Sequence, residues 1–194
     1  MYTTERAHYH FKKNITCNVG LPPVPEIQFD DEEADELDNW NLLRIINSEL
    51  SDTETNEIVW RCLGYTYVED AKQWEPSGCF PKWRERYPLP PDVIGVTRVY
   101  EKEVDGPVLK ANQALVRSIP PEFKQNLKKV LKPYGFTGFK VDELTPNTTR
   151  RAQVVNWLLY YRDNLKGKTI EQLIAEREER RRKNEIGVRE KPLE

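Results

Sequence analysis

The chain has 194 residues, of which 30 are basic and 32 acidic, and its formal net charge at pH 7 is -2. A near-neutral balance excludes a general nucleic-acid binder, because such proteins carry an excess of basic charge. A chain of this length can bury one good core, and its apolar residues concentrate between Trp40 and Leu165. We therefore expect one globular domain, residues 38–167, with an arm before it and a charged segment after it.

The cysteines and the apolar runs restrict the environment of the chain. Cys17, Cys62 and Cys79 are odd in number and include no closely spaced pair. Neither a disulfide framework nor a zinc site is expected, and a reducing compartment is favoured. The longest apolar run, 154–161, is interrupted by Asn156 and is far shorter than the ~20 residues of a membrane helix. We expect no membrane span.

Residues 1–37 are predicted to form an extended arm, because they contain clustered prolines and lack helical periodicity. His8 and His10 make a poor metal site by themselves, since two ligands are too few. The arm ends in an acidic block, which ordinarily stays solvated and here also leads into a helix. The candidate docking residues in this block are Asp30, Asp31, Glu32 and Glu33.

Two short helices are predicted next. The first begins at Asp38 and places its apolar side chains at helical spacing, on one face formed by Trp40, Leu43, Ile46 and Leu50. The second is capped by Asp52 or Thr53 and ends at Gly64. We expect the two helices to form a hairpin against a longer central helix.

The middle of the chain is predicted to contain extended structure. Residues 65–74 favour a small strand, turn and strand, and the proline-rich segment 75–92 favours a stiff wrap held to the core by Trp83 and Tyr87. Two runs rich in β-branched residues, 96–104 and 108–116, are separated by Asp-Gly-Pro and predict a β-hairpin.

The second half of the domain is predicted to be helical. A helix starts at Ser118–Pro120, with the Ser118 hydroxyl as a cap, and ends at Pro133. The central helix covers residues 149–166, with Thr148 or Thr149 as its N-cap and Gly167 as its left-handed end. The fold class that follows is α+β and mainly α. A compact helical core surrounds the central helix, with one or two small β-hairpins and extended terminal arms.

After Gly167 the sequence becomes strongly charged. Thr169 can cap a further helix, with few apolar anchors and many Glu to Arg or Lys pairs four residues apart. Residues 168–194 are therefore predicted to form a solvated helix and tail. Its candidate docking residues are Arg180, Arg181 and Arg182.

No catalytic motif stands out along the chain. A phosphate loop, a dinucleotide fingerprint, a nucleophile elbow and paired metal ligands are absent from the sequence. We therefore expect no catalytic, cofactor or metal site, although a carboxylate site built from distant residues stays open. A non-enzyme is the favoured interpretation.

One cluster of basic and aromatic residues could hold an anion. It consists of Phe136, Phe139, Lys140, Arg150 and Arg151. Aromatic stacking and guanidinium contacts together are typical of phosphate and single-strand sites. In the competing interpretation, the phenylalanines lie in the core and the arginines pair with nearby acids such as those at 142 and 143. We favour the second interpretation, because glycine-flanked phenylalanines between helices are ordinarily buried.

Several ordered motifs resemble a known family. The first half has Trp60, Leu-Gly-Tyr at 63–65, Trp83-Arg84 and Pro-Pro-Asp at 90–92. The second half has Arg-Ser-Ile-Pro at 117–120, Gly-Phe-Thr-Gly-Phe-Lys at 135–140, Arg-Arg-Ala at 150–152 and Asn-Trp-Leu-Leu at 156–159. Together they resemble a small uncharacterised domain family of cyanobacteria and of algal and plant chloroplasts. The resemblance implies a photosynthetic lineage and, in a eukaryote, a stromal location.

Two functions follow as expectations. In the first, the protein is a non-catalytic peripheral subunit of a thylakoid complex, with photosystem I as the first candidate partner and photosystem II as the second. It would lie on the stromal face, or on the cytoplasmic side in a cyanobacterium. In the second, it binds an anion, a nucleotide or RNA through Arg150 and Arg151, although the net charge disfavours nucleic acid. No cofactor is expected in either case.

Overall fold

The structure is a computed structural model that describes the backbone of residues 35–189 and the side chains of residues 35–183. It is mainly helical, with one small antiparallel sheet, and this confirms the predicted fold class. The helices are α1 Asn39–Ile46, α2 Asp52–Leu63, α3 Pro81–Arg86, α4 Lys102–Ser118, α5 Asn126–Leu131, α6 Pro146–Asn164 and α7 Ile170–Arg189. The strands are β1 Thr66–Val68 and β2 Gln73–Glu75.

Helix α6 is the central element, as its apolar stripe predicts. Helices α1, α2, α4 and α5 all pack against it. Val154, Leu158 and Leu159 are fully buried, and Trp157 is also buried, which confirms the predicted orientation of the helix. A helix covered on this many sides loses most of its apolar surface to the core, and its burial is the main source of its stability.

The N-cap of α6 differs from the prediction of Thr148 or Thr149. Thr145 is the cap, and its hydroxyl accepts from the Thr148 N–H while the Thr148 hydroxyl accepts from the Thr145 N–H. Pro146 then occupies the first helical position, where its missing N–H costs nothing. The left-handed Gly167 follows the helix, as expected.

Helices α1 and α2 both pack against α6, as predicted, but the buried face of α1 differs from the prediction. Its buried residues are Leu42, Ile45 and Ile46, whereas Trp40 is 50% exposed and lies edge-on to the Tyr134 ring. The first predicted positions of the stripe are three residues apart, which is less than one helical turn, so they do not stay on one face of the helix.

Helix α2 starts one residue earlier than predicted. Ser51 is its N-cap and forms a capping box with Glu54, so the predicted caps Asp52 and Thr53 are wrong. Because Ser51 serves the helix end, the Asp52 carboxylate is free to bond across the core. Gly64 ends the helix in a left-handed conformation, as predicted.

The small sheet and the proline-rich wrap confirm the prediction for this region. Strands β1 and β2 pair antiparallel, with Tyr67 opposite Trp74. The Trp83 and Tyr87 rings pack with their centroids 4.6 Å apart. The Trp60 indole donates to the Pro91 carbonyl at 2.8 Å, so the wrap is held directly against α2.

The β-hairpin predicted for residues 96–116 is wrong, because most of this segment is helix α4. Val108, Ala111 and Leu115 are buried, and their spacing of three and four is that of a helix. The valines favoured strands only as a local propensity, which packing against α6 overrides. Pro107, interpreted as part of a turn, lies inside the helix.

The helix predicted to run from Ser118 to Pro133 is broken into pieces. A 3₁₀ turn covers Pro121–Phe123 and another covers Lys132–Tyr134, with α5 between them. Ser118 does not cap this helix; it is the last residue of α4, and its hydroxyl accepts from the Trp157 indole at 3.1 Å. The Asn156 side chain accepts from the Leu127 N–H and so ties α5 to α6.

Helix α7 confirms the predicted charged helix, and the side chains of 176–183 are all exposed. Of the helices described, none combines the length and the apolar content needed to cross a membrane. Residues 1–34 of the predicted arm, with His8, His10 and the acids at 30–33, lie outside the described residues. Leu37, predicted to belong to the arm, is buried in the core.

Candidate functional site

The two arginines at the start of α6 lie in separate buried networks. Arg151 is 1% exposed and its guanidinium makes five hydrogen bonds, to Asn147, the Ile45 and Leu50 carbonyls, Thr55 and Asp52. These contacts use the full donor capacity of a guanidinium. Arg151 therefore joins the α1–α2 connection to the central helix, and no donor is left for a ligand.

Asp52 is the charge partner of Arg151, at 2.5 Å, and it also bonds Asn147 and the half-exposed Arg98. Burial raises the pKa of Asp52, but hydrogen bonds from Asn147, Arg151 and Arg98 outweigh that effect and place the pKa below its ordinary value. The carboxylate is therefore held in its charged form by three groups, two on α6 and one in the segment before α4.

Arg150 pairs with Asp105 of α4 at 2.7 Å and is itself buried. Its guanidinium lies 5.9 Å from the centre of the Tyr100 ring. A β-carbon at Gly95 would come within 2.8 Å of Arg150 Nη1, so only glycine fits at this position. Arg150 therefore fastens the segment before α4 to the central helix.

The predicted cluster of Phe136, Phe139, Lys140, Arg150 and Arg151 is thus not assembled as one site. The arginines pair with Asp105 and Asp52, and the pairing expected with acids 142 and 143 is wrong. Lys140 pairs with Glu143. The separation arises because both arginines turn inward from the helix start.

The two phenylalanines lie in a different place, beside α1. Their rings meet edge to face at 5.5 Å, Phe136 is buried and Phe139 is half-buried. They line a shallow cleft of about 510 Å³ together with Tyr134 and the end of α1. This confirms the expectation that at least Phe136 belongs to the core.

The two described cysteines, Cys62 and Cys79, are free and wholly or partly shielded from solvent. Burial raises the pKa of Cys62 to about 12 and that of Cys79 to about 11, so both thiols stay protonated and weakly nucleophilic. Across residues 35–183, no group of three or more His, Cys, Asp and Glu side chains is placed to hold a metal ion.

The feature that sequence reasoning missed is a concentration of exposed apolar side chains. Of eleven large apolar residues found exposed in the described part of the chain, six fall between positions 89 and 109. We call these six the 89–109 surface. They are Leu89, Val96, Val99, Tyr100, Val104 and Leu109. The six residues are close in sequence, and a contiguous patch of exposed apolar side chains is typical of interaction sites.

The backbone of this segment is held in place although its side chains are exposed. The Asp92 carboxylate accepts from the N–H groups of Ile94, Gly95 and Val96. It also accepts from the Asn56 amide of α2. The sequence alone could not show the exposure, because a β-branched run reads the same whether its side chains are buried or not.

A cleft of about 470 Å³ lies beside Leu89. One wall is the wrap around Tyr87 and the other is the first half of α4. The residues that line it are Arg86, Tyr87, Pro88, Leu89, Pro91, Asp92, Pro107, Val108 and Lys110. Its lining is mostly apolar and includes two basic side chains, Arg86 and Lys110.

The predicted docking residues of the C-terminal helix are exposed. Arg180, Arg181 and Arg182 follow one another on α7, where Glu179 pairs with Lys183. Exposed charges of this kind contribute more to association rate than to affinity.

Comparison with known proteins places the domain in a family. A family model described as Domain of unknown function (DUF1823) matches residues 36–163. A solution NMR structure is 39% identical to the chain, covers 65% of it and is itself covered over 92% of its length, with a TM-score of 0.50. Nothing among curated proteins matches the chain. The chain therefore belongs to the DUF1823 family, in agreement with its resemblance to a small uncharacterised domain family.

Proposed function

We propose that this protein is a non-catalytic peripheral subunit of a photosynthetic membrane complex, with photosystem I as the first candidate and photosystem II as the second. It docks on the stromal face of the thylakoid, or on the cytoplasmic face in a cyanobacterium. The 89–109 surface is the observation that carries the docking part of this proposal, since six exposed apolar side chains are concentrated there.

The family motifs support the proposal indirectly, because their polar groups are used inside the fold. The Trp60 indole holds the wrap, Arg151 joins α1 and α2 to α6, and the Trp157 indole bonds Ser118 at the end of α4. These residues form hydrogen bonds between elements of the fold, so their presence is explained by the fold and does not require a substrate. What is left for function is the exterior.

The choice of compartment rests on the resemblance to cyanobacterial and chloroplast sequences. A domain that carries an exposed apolar surface and charged extensions suits attachment to a larger assembly, where the apolar surface gives affinity and the charges guide approach. The anion-binding alternative is favoured by no observation, because Arg150 and Arg151 both hold carboxylates within the core.

The test is co-migration of the protein with a thylakoid complex. Tagged protein is expressed in a photosynthetic host, thylakoids are solubilised gently at low salt, and the complexes are separated by size. We expect the protein to travel with photosystem I. If the intact protein runs free of both photosystems at low salt, the proposal is wrong.

Salt and deletion controls identify which part of the chain attaches. Raising the salt concentration should weaken contacts made by the acids at 30–33 and by the arginines at 180–182, because exposed charge contacts are screened. It should affect the apolar 89–109 surface much less. Deleting each charged segment separately then measures its share of the attachment.

A further inference from the structure

We propose that the cleft beside Leu89 receives a segment of a partner protein that carries bulky apolar side chains flanked by carboxylates. This inference rests on the proposed function, because it specifies the chemistry of the docking contact. It assigns a role to the cleft between the wrap and the first half of α4, which the internal networks of the fold do not use.

The walls of the cleft are rigid before any partner arrives. Pro88, Pro91 and Pro107 line it, and each fixes one backbone angle. The Tyr65 hydroxyl donates to the Tyr87 carbonyl at 2.6 Å, and the Trp60 indole donates to the Pro91 carbonyl. A preformed cleft loses little conformational freedom on binding, so more of the contact energy becomes affinity.

The charges beside the cleft determine the chemistry of the occupant. Arg86 and Lys110 line it and are both exposed. Lys110 forms no ion pair with any residue between 35 and 183, and the Arg86 guanidinium lies 5.2 Å from the centre of the Tyr87 ring. The Asp92 carboxylate in the same lining already accepts four hydrogen bonds from Asn56 and the 94–96 backbone. With two basic side chains and one carboxylate, the lining carries a net positive charge, which complements carboxylates on a partner.

The shape of the cleft favours a protein segment over a free small molecule. Small-molecule pockets enclose most of their ligand, whereas this cleft is open to solvent along one side. Leu89 at its edge is 71% exposed and extends the apolar surface outward. A continuous chain can fill the cleft and cover Leu89 at the same time, which a compact ligand does not do.

A binding experiment on the purified protein tests the inference without any photosystem. The probe is a short fluorescent peptide with a central Leu-Phe pair between acidic residues, and a second peptide has lysines in place of the acids. We expect the acidic peptide to bind at least about tenfold more tightly than the basic one, a difference of about 1.4 kcal/mol. Fluorescence anisotropy at low and high salt measures the affinity of each peptide.

Matched variants locate the binding. Leu89→Asp and Lys110→Glu should each weaken the acidic peptide about tenfold or more. Val141→Asp and Lys129→Glu are the controls, because Val141 is 87% exposed and Lys129 is an exposed helical lysine, and neither lines the cleft. The controls should bind as the unmodified protein does, and circular dichroism confirms that every variant is folded.

Three outcomes would overturn the inference. They are no binding of the acidic peptide, equal binding of both peptides, and equal loss in the cleft and control variants. Binding of a fluorescent fatty acid without binding of the acidic peptide would mean that the cleft is a small-molecule pocket, and would also overturn the inference. None of these results bears on co-migration with a photosystem, so failure here is distinct from failure of the proposed function.

Discussion

Arg151 shows how one side chain connects distant parts of this chain. Its partners Asp52 and Ile45 lie about a hundred positions away in sequence, at separations of 99 and 106. No periodicity or spacing predicts a contact at that distance, which is why the sequence suggested acids 142 and 143 instead. The inward turn of the arginine becomes visible only when three helices are packed together.

Removal of this guanidinium should be costly. Arg151→Ala should lower the free energy of unfolding by about 3–5 kcal/mol, because it leaves the buried Asp52 carboxylate without its charge partner. Denaturant unfolding measures the change. Arg117→Ala is the control, since Arg117 is exposed and bonds only Gln113, and it should stay within about 0.5 kcal/mol of the unmodified protein. Equal losses of unfolding free energy in the two variants would show that the buried contacts of Arg151 do not stabilise the fold.

The same pair predicts a pH dependence. The pKa of Asp52 is lowered in the folded state, so its contribution to stability is present above its unfolded pKa of about 3.9 and is lost as pH falls through the folded value. The unfolding free energy of the unmodified protein should therefore fall more steeply below about pH 4 than that of Asp52→Asn.

The control for this titration is Asp70→Asn, at an exposed carboxylate in the turn between β1 and β2. Its curve should follow that of the unmodified protein. Parallel curves for Asp52→Asn and the unmodified protein below pH 4 would contradict the expected role of Asp52. Urea unfolding at a series of pH values gives the curves.

At the scale of elements, the sequence predicted those with strong local signals. Helix α6 has a broad apolar stripe, α2 has a glycine end, and the 66–75 strands alternate aromatic residues. Helix α4 was missed because its valines favour strands and its Gly106-Pro107 pair is typical of a turn. The spacing of its buried positions 108, 111 and 115 is helical, but the strand propensity of the valines outweighed this pattern in the prediction.

Alanine substitutions at Gly64 and Gly135 test why glycine is needed at the end of α2. Both have φ of +98°, but a β-carbon at Gly64 would collide with the Gly78 carbonyl, whereas nothing lies within 4 Å at Gly135. Both substitutions to alanine carry the cost of a left-handed residue, about 1–2 kcal/mol. Gly64→Ala should lower the free energy of unfolding by at least ~1 kcal/mol more than Gly135→Ala, because the backbone at Gly64 must also move. Thermal or denaturant unfolding compares them, and equal losses would mean that the close contact of 64 with 78 does not matter.

At the scale of the whole molecule, the domain and its charged extensions should behave independently. The described side chains from 176 to 183 are all exposed, so they bury no apolar surface. Removing residues 176–194, and in a second variant residues 1–29, should leave the melting temperature nearly unchanged. Calorimetry or circular dichroism measures it. A large drop in either variant would mean that the extension is part of the fold.

The sequence indicated attachment, but it placed the docking residues only in the charged extensions. The composition, the motifs and the absence of a catalytic pattern could be interpreted from residues alone. The 89–109 surface could not be predicted from the sequence alone, because the exposure of its side chains depends on which faces α6 and α2 leave uncovered. Val104, at 41% exposed, and Val108, at 8%, are the same residue type, and both fall in the same predicted hairpin.

Site-specific crosslinking tests the central claim, which is docking through the 89–109 surface on a photosystem. A photoreactive amino acid replaces Leu89 in one variant and Val141, which is even more exposed, in another, and both are activated in intact thylakoids at low salt. We expect position 89 to crosslink to a photosystem I subunit, with photosystem II next, and position 141 to give far less product. Crosslinking from 141 but not from 89, or to no photosystem subunit from either position, would contradict the claim.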